Sequence, residues 1–266
     1  MSDWREQRRH RDRVRRDEVM RLPVLRVCHH GVLGGRDGDV LVCASIGPAG
    51  EMVAVWAKPE GLAAVISTTV SAGGACFPDP AAARPVAARI TVHTPDLAAV
   101  TPIADLALSH ITVQPMPGGQ FLVAGARCRW RRDGPDRNGV LYDADGQVVA
   151  ERVLGDGIGH VLAASDGQVW AGYFDEGIYG NYGWGQPGAG EPVGASGIVR
   201  FSPGLEPVWH YPGTPRSARG MRSVTAMPSM WTRGASAPAM TPISRLCASA
   251  MTPWPAGITT SKVPAP

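Results

Sequence analysis

One hairpin signal recurs along this chain, and it constrains the fold more than any single motif. An apolar run meets a short turn of Pro, Asp, Ser or Gly. An alternating run follows and ends near an aromatic residue. The signal occupies Ile111–Gly125, Val140–Val149, His160–Tyr173 and Ile198–Trp209, with an earlier copy at Val40–Trp56. Gly supplies the positive φ that tight hairpins need, and Asp tolerates it. Alternation with period two gives each strand one buried and one wet face. Hairpin turns are therefore expected at Gly50, Gly119, Gly146, Gly167 and Gly204.

The hairpins pair. Gly119 and Gly167 are 48 residues apart, and Gly146 and Gly204 are 58 apart. Two hairpins per unit make four antiparallel strands per roughly fifty residues, the content of one propeller blade. One unit covers about His110–Leu154. The next covers about Gly159–Tyr211, with an insertion at Phe174–Gly197 between its two hairpins. Over about Val40–Tyr211 the units resemble blades of the WD40/NHL-like β-propeller superfamily, and resemble uncharacterised bacterial propeller-like proteins. The resemblance rests on spacing and turn chemistry. Trp170 and Trp209 sit where blades often carry an aromatic, but the full Gly-His…Trp-Asp signature is absent. The resemblance implies an all-β fold, an incomplete β-propeller of four-stranded antiparallel blades. It implies no ligand and no activity. The competing arrangement is an irregular β-sandwich.

The chain changes character at its C-terminal end. Residues 207–266 contain no Asp and no Glu, although the whole chain has 23 acids. The same stretch holds five of the nine Met and follows neither a helix nor a strand period. A slipped reading frame explains this, and the genetic code allows a check. The third base of each codon is read with the first two of the next. Met227-Pro228 and Trp254-Pro255 must then read Ala, and Met230-Trp231 must read Val. Trp231-Thr232, Met240-Thr241 and Met251-Thr252 must each read Asp. Between these forced positions, the codons of Val224–Thr232 permit Asp-Cys-Tyr-Ala-Leu-Asn-Val-Asp, and those of Pro238–Arg245 permit Cys-Tyr-Asp-Thr-Asp-Phe-Pro. These segments look like the strands upstream. The other reading is a low-complexity tail rich in Pro, Ala, Ser and Thr. The expected organisation is a charged arm over 1–21, a propeller-like body over 22–213 and an irregular, frame-shifted tail over 214–266. The tail is expected to lack a packed core of its own, because Pro and Ser interrupt every candidate strand.

Charge follows the same division. The arm carries eight Arg against five acids, and residues 207–266 carry five Arg and Lys262. The chain as a whole is +3, so residues 22–206 carry a net −6. An acidic body argues against nucleic-acid or anionic-membrane binding by the fold itself. No apolar run reaches eighteen residues, so no membrane span is expected. No apolar segment follows the charged N-terminus, so no secretory signal is expected. The five Cys, at 28, 43, 76, 128 and 247, are odd in number and irregularly spaced. Reduced thiols in a cytoplasmic protein are the expectation.

The densest candidate for chemistry is Gly172–Gly185, which holds three of the five Tyr. Rigid aromatics beside short polar groups suit a binding site. The candidate ligand-binding residues are Tyr173, Asp175, Glu176, Tyr179, Asn181, Tyr182 and Trp184, with the aromatics expected around one shallow pocket. Asp175, Glu176 and Asn181 are also oxygen ligands of the type a hard cation such as Ca²⁺ takes. Their structural alternative is a Gly-rich insertion whose aromatics cover a blade edge. No cofactor is expected. Asp156 and His160 enter the second unit and are expected to tie blades together. Cys28-His29-His30 offers soft ligands, but no second Cys/His cluster at zinc spacing follows. No P-loop, no Gly-x-Ser-x-Gly and no Gly-x-Gly-x-x-Gly opening a helix occurs, so no catalytic residues are assigned.

Two function classes follow. One is a non-catalytic binding or scaffold propeller that presents loops to a protein or a small polar ligand. The other is a metal-dependent, lactonase-like propeller hydrolase, which needs several blades to give an acid or Asn to one point. The only dense acid and Asn site lies on one insertion, which favours binding.

Overall fold

The structure is a computed structural model that describes residues 3–20, 31–34, 38–74, 76–94 and 96–212. The tail at 214–266 and Cys28-His29-His30 lie outside the described residues. Two compact units divide at Val32. The first carries one helix, α1 (Asp3–Met20), whose described side chains are exposed. Its Arg and acidic residues alternate around the axis, so no apolar stripe forms.

The second unit is mostly antiparallel β. Its first sheet joins β1 (Val40–Ile46), β2 (Met52–Ala57), β5 (Ala81–His93) and β6 (Leu97–Leu108) in that order. Between β2 and β5 lie a short helix, α2 (Pro59–Val65), and a small hairpin of β3 (Thr68–Val70) and β4 (Cys76–Pro78). The second sheet joins β7 (Ile111–Met116), β8 (Gln120–Gly125), β11 (Gly139–Tyr142) and β12 (Val148–Arg152). A two-stranded ribbon, β9 (Trp130–Arg131) with β10 (Gly134–Pro135), is inserted after β8. The third sheet joins β13 (Ile158–Ala163), β14 (Val169–Tyr173), β15 (Ile198–Phe201) and β16 (Pro207–His210). Helix α3 (Asp175–Tyr179) sits in its insertion. Each four-stranded sheet runs in chain order without a crossover.

The sheets stack through alternation. On β8 and β11, Phe121, Val123, Val140 and Tyr142 join a core shared with Val53, Val55 and Ile90 of the first sheet. The intervening Leu122, Ala124 and Leu141 join a core shared with Val161, Val169, Val199 and Phe201 of the third. The second sheet is thus buried on both faces. Its first strand, β7, links the other two first strands. Ser45 Oγ on β1 donates to Val113 O, and Ala163 N on β13 donates to Gln114 Oε1 at 3.0 Å. Gln114 is buried, and the bond satisfies its carbonyl.

One turn repeats at four hairpins. Residue X donates its N–H to the carbonyl of X+4, and X+3 donates back to X, with X at Gly47, Asp143, Ala164 and Ser202. The X+3 residue takes positive φ at Gly50 (87°), Gly146 (79°), Gly167 (82°) and Leu205 (62°). The last case corrects the sequence reading. The turn lies where expected, but Leu205 rather than Gly204 is left-handed. Leu205 is buried in the second core, and that burial offsets the roughly 1–2 kcal/mol cost of the conformation. Strand β5 had no sequence signal because Pro85 and the Ala residues mask its alternation. Its pairing with β6 shifts register between Ala81 and Val86, which lets the chain carry Pro85 without a missing ladder bond.

Candidate functional site

In an antiparallel meander the links from strand two to strand three leave one end of the sheet, and so does the link to the next sheet. All three long insertions take that position. They run over 58–80, 126–138 and 174–197. The two sheet-to-sheet links, Ser109-His110 and Val153–Gly157, lie at the same end.

A polar network binds this end. His110 Nε2 donates to Ser67 O at 2.8 Å, and Ser109 Oγ donates to Asp79 O. Buried Asn138 donates from Nδ2 to Gly125 O at 2.9 Å and Gly155 O at 2.8 Å, while its Oδ1 accepts from Leu154 N at 2.9 Å. At the centre is an ion triad. Asp156 accepts from Arg127 Nε at 2.8 Å, from Arg127 Nη2 at 2.9 Å and from Cys128 N at 2.9 Å. Glu176 on α3 approaches Arg127 Nη2 at 2.6 Å. The Arg127 and Asp156 side chains are 3% and 2% exposed, and Glu176 is 29% exposed. Burial pulls the Arg127 guanidinium toward neutrality. The bonds and charges of Asp156 and the charge of Glu176 more than offset this and hold it above its ordinary value. Gly157 (φ 69°) and Gly177 let the Asp156 loop lie directly on α3, since a Cβ on Gly157 would overlap the Gly177 backbone and a Cβ on Gly177 would overlap Asp156 O.

The triad braces an aromatic platform. Arg127 lies over the Tyr182 ring at 4.4 Å and near Phe174 at 5.6 Å, and Arg129 lies 5.0 Å from the Tyr182 centroid. Tyr182 is itself left-handed (φ 46°). Its hydroxyl donates to Pro78 O at 2.9 Å, its carbonyl accepts from Trp130 N at 2.9 Å, and its N–H donates to Asn181 Oδ1 at 2.7 Å. These bonds hold a conformation that a lone Tyr would leave. Beside it opens a cleft of about 170 Å³ lined by Thr69, Ser71, Phe77, Arg129, Asn181 and Tyr182. Each of the three insertions contributes to its wall. Arg129 Nε is buried and has no hydrogen-bond partner among the described residues.

The residues singled out from sequence separate here. Tyr182 and Asn181 line the cleft, and Glu176 supports it through Arg127. Tyr173 is instead a core residue. Its ring joins the second core, its hydroxyl donates to Leu154 O at 2.5 Å, and burial pushes its pKa up. Trp184 is also buried. It packs edge-on against Trp130 at 4.9 Å and donates from Nε1 to Cys128 O at 2.8 Å. Tyr179 and Asp175 are exposed on α3, and Asp175 Oδ1 accepts from Glu176 N. The expected single pocket of Tyr173, Tyr179, Tyr182 and Trp184 is therefore replaced by a cleft that uses one of them. Phe77, Thr69 and Ser71 come from the insertion at 58–80, too far along the chain for local pattern to reveal. Arg127 and Arg129 had a visible signal: four Arg at 127, 129, 131 and 132, within an acidic body. Asp156 ties the second sheet to the third, whereas His160 is exposed on β13. Among the described residues, no group of three or more His, Cys, Asp and Glu is placed to hold a metal ion. No described helix is long and apolar enough to cross a membrane.

No protein-family model and no curated protein matches this chain. Among solved structures, it is similar to a protein of unknown function from Bacteroides caccae, with 9% identity over 71% of this chain and 86% of that one. The TM-score of 0.22 is too low for that likeness to carry an argument about fold or function.

Proposed function

We propose that this protein is a non-catalytic binding module of propeller type whose ligand face is the insertion-bearing end of the sheets. The propeller reading is supported by three consecutive four-stranded meanders whose first strands neighbour one another through β7. The binding reading is carried by one observation. Insertions from the same position in three sheets meet at one cleft, floored by Arg129 against Tyr182. A buried guanidinium nitrogen without an acceptor favours a ligand that brings one, and an aromatic face favours a flat ligand body. The ligand class is a small polar molecule with a carboxylate or phosphate group. Two nearby guanidinium groups disfavour a metal cation in the same place, which sets the hydrolase reading second.

Isothermal titration with a panel of aromatic carboxylates and phosphate monoesters, and separately with CaCl₂, tests this. Binding of an anionic compound that Arg129→Met weakens at least about tenfold supports it, as expected for a lost charge-assisted bond. Calcium binding that Arg129→Met leaves unchanged, with no anion bound, refutes it.

A further inference from the structure

The third sheet has two unlike faces. One packs into the second core through Val161, Val169, Val199 and Phe201. Across the other runs a row held in strict register, Leu162 to Trp170, Trp170 to Arg200 and Arg200 to Trp209. All four side chains are half-buried. Trp170 and Trp209 meet edge-on at 5.5 Å, Tyr211 extends the row at 6.3 Å from Trp209, and Arg200 lies over Trp170 at 5.4 Å. Arg200 Nε is buried without a hydrogen-bond partner among the described residues. The second sheet, by contrast, is covered on both faces.

We infer that this face is the docking surface for a fourth four-stranded sheet, encoded by the codons of residues 213–266 in the shifted frame. Place agrees. Links between sheets are short here, from Leu108 to Ile111 and from Arg152 to Ile158, and β16 ends at His210. The next first strand is therefore due just beyond the described residues. Charge agrees too. As written, the stretch brings no carboxylate to Arg200, while the shifted frame forces Asp at three positions. An aromatic and cationic face calls for apolar strands with interspersed acids, and the forced Asp positions with the segments the shifted codons permit fit that need.

The test compares the chain as written with one in which a single inserted nucleotide near codons 207–225 continues translation in the shifted frame. The frame-restored chain is expected to melt at least about 5 °C higher, since stacked sheets of this kind draw stability from their neighbours. Amide exchange on β15 and β16 is expected to slow at least about tenfold. Trp170→Ser with Trp209→Ser in that chain is expected to abolish both gains. A frame-restored chain that melts no higher, or whose β15 and β16 exchange as before, overturns the inference. So does deletion of 213–266 from the written chain if exchange on that face then accelerates, because the written tail is then its occupant. A concentration-dependent dimer of the written chain that the two Trp substitutions dissolve assigns the face to a second copy and also overturns it.

Discussion

Replacing Asp156 by Ala should be among the most damaging single changes in this protein. The carboxylate is 2% exposed and accepts three hydrogen bonds, two from Arg127 and one from Cys128 N. Its loss strands a guanidinium that is 3% exposed. An unpaired buried charge costs about 3–5 kcal/mol. Glu176 stays at 2.6 Å from Arg127, which keeps the cost near the lower end, at about 3 kcal/mol. The orphaned Cys128 N–H adds about 1 kcal/mol. A total of about 4 kcal/mol lowers the melting temperature by about 8–16 °C in a unit of this size. Glu176→Gln should cost about 1 kcal/mol, because Asp156 still holds Arg127 through two bonds. The combined change Arg127→Met with Asp156→Leu should recover most of the loss, since no charge is then left unpaired. Thermal melts of the parent and the three variants, followed by circular dichroism, give the differences. An Asp156→Ala variant that melts within about 2 °C of the parent, or a double variant that melts below Asp156→Ala, contradicts this expectation.

Three further outcomes follow from buried groups. Burial first, and then the charges of Glu151 and Asp105, push Tyr142 up to about 12, and burial pushes Tyr173 higher still. Unfolded Tyr titrates near 10, so both phenols stabilise the fold below that pH, and stability falls as pH rises past it by up to about 1.4 kcal/mol per pH unit for each; urea melts from pH 9 to 11.5 check the slope. Burial likewise raises the Cys128 thiol, whereas Cys76 is exposed, so a maleimide should label Cys76 in the native protein and reach Cys128 only on unfolding, as mass spectrometry of labelled peptides will show. Asn138→Ala removes three buried bonds around the link at 153–157 and should cost about 2–4 kcal/mol in a denaturant melt.

The hairpins were legible because turn chemistry and period-two alternation are local. The hairpins at Gly50, Gly119, Gly146 and Gly167, and the unit limits near Ile111–Arg152 and Ile158–His210, follow from them. Strand β5 was not legible, because Pro85 and Ala hide its pleat until β6 supplies the register. The site was half legible. Aromatic and Gly density marked the insertion at 174–197, but composition does not say which ring turns inward. Tyr173 is the last residue of β14 and points into the second core, whereas Tyr182 sits in a turn and meets two Arg of the insertion at 126–138. The cleft is a product of three insertions brought together by stacking, and no single stretch of sequence carries it.

The Arg129 Nε–H resonance offers the most direct test of the binding role. It can be followed by nitrogen–proton correlation spectroscopy while phosphate monoesters and aromatic carboxylates are titrated into the full chain. A saturable shift of that resonance, with the backbone amides of Thr69, Asn181 and Tyr182 moving on the same curve, is the result this account predicts. Arg129 Nε–H unmoved by every anion, while a ligand shifts residues elsewhere on the sheets, contradicts it.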